Sequence, residues 1–373
     1  MSKPRILVLR LSSLGDVVLS SSFLQSCREH FPAARVDYVV RDDYAALARA
    51  LPGVDRVLAV SRAAGVRALL ELGSDWAKTG YEHVFDLHQS VRSRLLTWRL
   101  RGRRRGGFHK QELPRWVLVH LHRDVYARFG GARPLRERML DPLRRLGLPV
   151  QLHPTRLVLP EPSQSRAARR LRQAGVAATE RLVALAPGAR WASKRWPTSR
   201  WIALVERLCV DLEHRFVLLG APAERPLCAP LRDVAPERVL DWCGRLDLLE
   251  TAATLELCDA VVTHDSGLLH VAEAVGRPVV ALFGPTAPQF GYVPYRAQSR
   301  MLYEPPRCNP CSKNGSRPCS RPTHECMENL GVDVVAAATC ARVQAAGAAI
   351  ASVPGAAANA PRADPRRSHH PSG

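Results

Sequence analysis

The chain has 373 residues, 46% of them apolar and 24% charged, with a formal charge of +20 and a pI near 10.4. That length can bury sizeable cores and suits about two domains, while the charge calls for an anionic partner: nucleic acid, an acidic lipid surface or a phosphorylated substrate. The opening apolar run is short and broken by Arg10 and Asp16, so it is not a secretory signal, and no stretch of eighteen apolar residues exists to span a bilayer.

The first element reads from "ILVLRLSSLGDVVLSSSFL", residues 6 to 24: a buried strand, a tight turn and a helix. Only Gly15 stands where a dinucleotide-binding loop would carry its glycines, and Asp16 follows it. Strands are predicted at 6–9, 36–40, 56–60 and 83–86, with helices between them after Asp16, Asp42 and Arg62. This alternation makes a parallel sheet wrapped by helices. From Arg92 to Arg115 run nine Lys or Arg against one acid, Glu112, including "RLRGRRRGGFHK". This is a local patch above the basic background.

A Pro-containing stretch at 146–170 breaks the rhythm and reads as a connection. The alternation then restarts, with strands predicted at 182–186, 216–219, 239–242, 260–263 and 279–283. The fold class is therefore α/β, with two doubly wound domains head to tail around a cleft: 1–165, 166–350 and a disordered tail at 351–373. No internal repeat is visible.

Ligands in open parallel sheets bind beyond the carboxyl ends of the strands, which singles out three segments. In the first, Asp16 is either a first-turn acid that satisfies free amides or a general base. In the second, "LAPGARWASKRWPTSRW" (185–201), Lys194 is either a solvated loop cation or a phosphate ligand. In the third, "DAVVTHDSGLLHVAEAVGRPVVALFGPT" (259–286), a helix predicted at 268–275 offers free amides to a phosphate, and Gly267 allows close backbone approach. There, Asp265 caps amides or meets a hydroxyl, and His270 is a core histidine or a donor.

Of ten cysteines, six (Cys27, Cys209, Cys228, Cys243, Cys258, Cys340) are scattered through apolar segments, which fits a reduced, cytosolic chain. The other four, Cys308, Cys311, Cys319 and Cys326, are spaced C-x2-C-x7-C-x6-C within the segment 308–326. Either they wrap one structural metal, with His324 competing as a ligand, or they are free thiols in a loop near the cleft.

The combination "SSLGDVV", "PGAxxxxKRWP", "DSGLLHVAEAVGRPVVALFGPT" and "CNPC…C…CM" resembles the heptosyltransferases of glycosyltransferase family nine, in order, over about residues 5 to 345. The resemblance implies a GT-B architecture of two Rossmann-like domains, the N-terminal one binding the acceptor and the C-terminal one a nucleotide-activated heptose. It implies inverting transfer from ADP-heptose to the lipopolysaccharide inner core, Kdo-lipid A or a heptosylated core, with Asp16 as base. Lys194 then takes the diphosphate position, Asp265, Ser266, Gly267, Leu268 and His270 the donor turn, and Glu224 the reach to the adenosine. A threonine pair that some members carry before the lysine is replaced by Ala189 and Arg190.

Under the same resemblance Arg101, Arg103, Arg104 and Arg105 meet an anionic glycolipid acceptor, and the enzyme is peripheral at the cytoplasmic face of the inner membrane. No cofactor or metal is expected, because lysine and helix amides offset the leaving diphosphate. A transferase of this fold moving another sugar is the alternative, followed by a non-catalytic homologue, which the presence of Asp16 disfavours. A nucleic-acid-binding protein is the third, but the arginine run lacks aromatic RNA motifs, a helix-turn-helix or finger spacing.

Overall fold

The structure, a computed structural model, describes residues 3–100, 104–177, 179–321 and 323–351, the side chains at 104–105 and 347–351 excepted. The expected tail from 352 onward, together with Arg101 and Arg103, lies outside those residues.

The N-terminal sheet contains β1 (Arg5–Leu9), β2 (Arg35–Arg41), β3 (Arg56–Val60), β4 (His83–Asp86) and β5 (Arg104–Gly106), all parallel, in the order β3-β2-β1-β4-β5. The C-terminal sheet contains β6 (Leu182–Ala186), β7 (Arg215–Leu218), β8 (Val239–Asp241), β9 (Ala260–His264), β10 (Val279–Phe283) and β11 (Arg300–Tyr303), also parallel, in the order β11-β10-β9-β6-β7-β8. Strands covered by helices on both faces read as continuous apolar runs, and β6, β9 and β10 are buried at every position.

Two strands escape the sequence reading. The edge strand β5 is three residues of "RRG" with no apolar signature, and it lies inside the arginine run; β11 is a four-residue edge strand whose first residue is exposed. The helix expected at 268–275 forms one residue early, at Gly267–Ala274. The supposed connection at 146–170 already contains the start of a helix, Glu161–Gln173, which joins the C-terminal half through Arg166–Glu250 (2.9 Å).

Strand order fixes where a ligand can sit. In the first sheet the order reverses between β1 and β4, and in the second between β6 and β9, so crevices open beyond the carboxyl ends of those four strands. The two crevices face each other. The helix after β1 (Leu14–Leu19) packs on the helix after β9 (Gly267–Ala274), and one buried apolar cluster runs through both domains, from Val8 and Val17 to Leu269 and Ala281.

Two glycines make that contact possible. A Cβ on Gly15 would fall 2.5 Å from Cδ2 of His270, and one on Gly267 would fall 2.8 Å from Leu14 Cδ2. The space left by Gly267, expected from the sequence to admit a phosphate, is filled by a side chain of the opposite domain.

Candidate active site

Between the sheets lies a cleft of about 1210 Å³. Asp16, Lys194, Glu224, Asp265, Ser266, Gly267, Leu268 and His270 all line it, so every donor-side residue expected from the sequence, together with the expected base, is gathered in one place.

Asp16 is the third residue of its helix and is 8% exposed. Its Oδ2 accepts from the Ser13 N–H (2.9 Å) and hydroxyl (2.8 Å) and pairs with Arg10 at 2.8 Å. The other oxygen, Oδ1, is buried and has no partner. Burial alone would raise this carboxyl, but Arg10 and the Ser13 donors outweigh it and hold it below the ordinary carboxylate range. The two sequence readings are therefore divided between two atoms. Oδ2 carries the helix-capping bonds, and Oδ1 is left as an anionic acceptor. Arg10 is itself fixed by donating to the Leu87 carbonyl.

Across the cleft, Lys194 Nζ lies 2.5 Å from Asp265 Oδ2 and 3.1 Å from its carbonyl, and the Thr286 hydroxyl donates to the same Oδ2 (2.8 Å). The lysine is 12% exposed at its side chain, so it is not a solvated loop cation. Gly315 supports it: a Cβ there would come within 2.8 Å of the lysine's Cε. Asp265 holds Lys194, which the sequence reading, with its choice between amides and a hydroxyl, does not foresee.

Histidines line or underlie the cleft in neutral form. Burial pushes His264 down to about 4; its Nε2 accepts the Trp196 N–H (2.9 Å), which leaves Nδ1 to donate to the Gly188 carbonyl (3.1 Å). Burial likewise takes His270 to about 4, and its Nδ1 has no partner. His88, beyond β4, is also lowered to about 4, first by burial and then by Arg10. Glu224 is held by accepting the Ala221 N–H (2.7 Å), and its carboxyl lies close over Gly188, where a Cβ would come 2.1 Å from the carboxyl carbon and push the side chain aside.

Of the expected acceptor arginines, only the backbone of Arg104 and Arg105 lies among the described residues. These two residues open the edge strand β5. Among the described residues, the cations lining the cleft are Arg10, Lys110, Arg115, Arg138, Arg190, Lys194, Arg195 and Lys313. Arg138 is 1% exposed and donates to the carbonyls of Lys110 (2.7 Å) and Phe290 (2.8 Å), its pKa brought down to about 10 by burial and by Arg115. Arg115 is 9% exposed, with its guanidinium 5.3 Å from the Phe290 ring centroid. The Nε atoms of both are buried without a partner, and neither is ion-paired among the described residues. Arg10 had a sequence signal, a charge interrupting an apolar strand, and Lys110 and Arg115 belong to the basic run 92–115; Arg138 had none.

Cys308, Cys311, Cys319 and Cys326 line a separate cavity of about 10 Å³ with Ser193 and His324. All four are free thiols, and among the described residues no three His, Cys, Asp or Glu side chains form a group able to hold a metal ion. The segment also clamps the lysine loop: Ser193 donates to the Gly315 carbonyl (2.5 Å), and His324 Nε2 meets the Ser193 carbonyl at 2.6 Å.

A base-like carboxylate and an anion-binding lysine facing each other across two doubly wound domains suit glycosyl transfer. The family described as Glycosyltransferase family 9 (heptosyltransferase) matches residues 70–320. The chain belongs to glycosyltransferase family 9. It is accordingly a sugar-transferring enzyme with a GT-B fold. This family 9 enzyme is 26% identical over 313 residues to lipooligosaccharide heptosyltransferase 2 of Haemophilus influenzae, covering 76% of this chain and 84% of that one. It is 27% identical over 335 residues to lipopolysaccharide heptosyltransferase 1 of Pseudomonas aeruginosa, covering 86% and 89%. Among solved structures, the ADP-heptose lipopolysaccharide heptosyltransferase II of E. coli superposes with a TM-score of 0.72 at 22% identity, covering 91% of this chain and 99% of that one.

Proposed function

We propose that this family 9 enzyme moves a heptose from ADP-heptose, with inversion, to a hydroxyl of the lipopolysaccharide inner core, either Kdo-lipid A or a heptosylated core. The observation that carries the reading is the unpartnered, buried Oδ1 of Asp16, a residue that lines the same cleft as Lys194 and the helix start of the other domain. In the proposed reaction the acceptor hydroxyl oxygen bonds to the anomeric carbon, the bond from that carbon to the diphosphate breaks with its electron pair leaving on the phosphate oxygen, and the hydroxyl proton passes to Oδ1. A carboxylate held below its usual range is a weak base. The oxocarbenium character of the sugar lets the hydroxyl release its proton late, when it is already strongly acidic, so a weak base in contact suffices.

On the donor side, Lys194 would trade part of its contact with Asp265 for the diphosphate, and the free amides at the start of the helix Gly267–Ala274 would take further phosphate charge. Asp265, once released, is free to meet a sugar hydroxyl, and Glu224 stands by the proposed adenosine side. On the acceptor side, Lys110, Arg115 and Arg138 would receive the acidic groups of the core, and the arginines of β5 would add a longer-range field. No helix among the described residues is long and apolar enough to cross a membrane, and the proposed contact with the cytoplasmic face of the inner membrane is peripheral.

Incubation with a panel of ADP- and UDP-sugars and Kdo-lipid A, reading released nucleotide and product mass, tests this. ADP release with a heptose added to the acceptor is expected. Transfer from a UDP-sugar alone, or tight duplex binding with no transfer from any donor, would overturn it.

A further inference from the structure

The helix Glu112–Leu121 is apolar nearly all round. One face is buried: Pro114, Arg115, Leu118 and Val119, with Leu118 and Val119 packed on Tyr126, Ala287 and Phe290. The opposite face carries Leu113 (57% exposed), Trp116 (53%) and Leu121 (54%), and the turn after the helix adds Phe129 (42%). At 100° per residue, positions 113, 116, 117, 120 and 121 share that outer arc, so the exposure is one contiguous stripe. Trp116 lies stacked on His120, with ring centroids 4.9 Å apart. A helix with apolar residues on every side is ordinarily covered, and a contiguous outer stripe of this kind marks a surface with a partner.

Charge identifies the partner. His120, His122, Arg123 and Arg128 stand exposed beside the stripe. Its nearby exposed acids are Glu112 and Asp124, and Asp124 is already accepting from Gln289 (3.1 Å) and the Tyr126 N–H (3.0 Å). Apolar and tryptophan side chains flanked by cations match the boundary between acyl chains and anionic headgroups, and the chain as a whole carries +20. Arg115, on the inner face of the same helix, lines the cleft, so one helix separates the outer stripe from the acceptor wall.

We propose that this outer face, formed by Leu113, Trp116, Leu121 and Phe129 with Arg123 and Arg128, seats the enzyme on an anionic lipid bilayer. The proposal rests on the membrane contact in the proposed function and deepens it, although seating needs neither donor nor acceptor. It places the mouth of the cleft at the headgroup level, so that a lipid-anchored acceptor reaches Arg115 without leaving the membrane.

The test is flotation of the full chain, without nucleotide or acceptor, on vesicles of phosphatidylethanolamine with phosphatidylglycerol and on vesicles of phosphatidylcholine. Binding to the anionic vesicles, weakened by salt and absent from phosphatidylcholine, is expected. The triple variant Leu113→Gln, Trp116→Ala, Leu121→Gln should lose about tenfold or more of that binding while keeping the wild-type melting temperature and ADP affinity. A variant that floats as the wild type does would overturn the proposal, as would a wild type that ignores anionic vesicles. So would a concentration-dependent dimer that the triple variant abolishes, since a second copy would then be the occupant. Because no transfer is measured, a wrong sugar or acceptor would leave the result untouched.

Discussion

The two walls of the cleft handle charge differently. On the C-terminal wall Lys194 already has its counter-ion: Asp265 at 2.5 Å, itself bonded by Thr286. On the N-terminal wall Arg10 is paired with Asp16, but Arg115 and Arg138, more deeply buried than most surface arginines, face carbonyls and an aromatic ring, with no carboxylate paired to them among the described residues. A paired lysine can exchange one anion for another at little electrostatic cost. Unpaired buried guanidiniums are a standing cost that only an incoming anion relieves. Under the proposed function, this asymmetry suits an exchangeable diphosphate on one wall and a permanently acidic acceptor on the other.

The sharpest way to break that division is at its boundary. Asp16→Asn keeps the shape of the side chain and its contact with Ser13 but removes the proton acceptor, so turnover should fall by about 10²- to 10⁴-fold. Steady-state release of ADP measures this, and a variant retaining a tenth of the wild-type rate would make Asp16 a cap alone.

Lys194→Ala should weaken ADP by about ten- to hundred-fold, the value of one charge-assisted contact of about 1.5 to 3 kcal/mol. Arg115→Gln should leave ADP affinity alone and raise the KM for an anionic acceptor by about tenfold. Calorimetry on the first and kinetics on the second separate the walls; if both variants lost ADP affinity equally, the division would be wrong.

A smaller effect comes from the neutral histidines. His88, His264 and His270 have pKa values lowered from 6.5 to about 4, so the unfolded chain binds protons that the folded chain refuses. Their stabilisation is complete above pH 6.5 and is lost as pH falls from there to about 4. The melting temperature should therefore decline by some degrees over that window, and His270→Gln should flatten part of the slope. A melting temperature that stays level from pH 7 to 4 would count against neutral, buried rings.

Much of the fold was readable because buried parallel strands announce themselves: nine strands appear where apolar runs of four to six residues occur, and the edge strands β5 and β11, which are short and polar at the rim, do not. Lys194, Asp265 and His270 were readable for a related reason, since the loops at the two points where strand order reverses can be counted along the chain. The cationic side of the N-terminal domain was only partly readable: Lys110 and Arg115 lie inside the basic run 92–115 but nothing set them apart from its other members, and Arg138 sits singly on a helix, where a sequence pattern turns charged residues outward. Nor could any periodicity show that Arg10 and Ser13 would occupy one oxygen of Asp16 and leave the other bare, because that split depends on three backbone positions brought together by the turn.

The most direct test of the division of labour measures ADP affinity and turnover together on Asp16→Asn. Asp16 is assigned to the acceptor hydroxyl during chemistry only, so the variant's calorimetric affinity for ADP should stay within about twofold of wild type while turnover collapses. If ADP affinity fell in step with turnover, Asp16 would belong to the donor site, and the separation of the cleft into a donor wall and an acceptor wall would be contradicted.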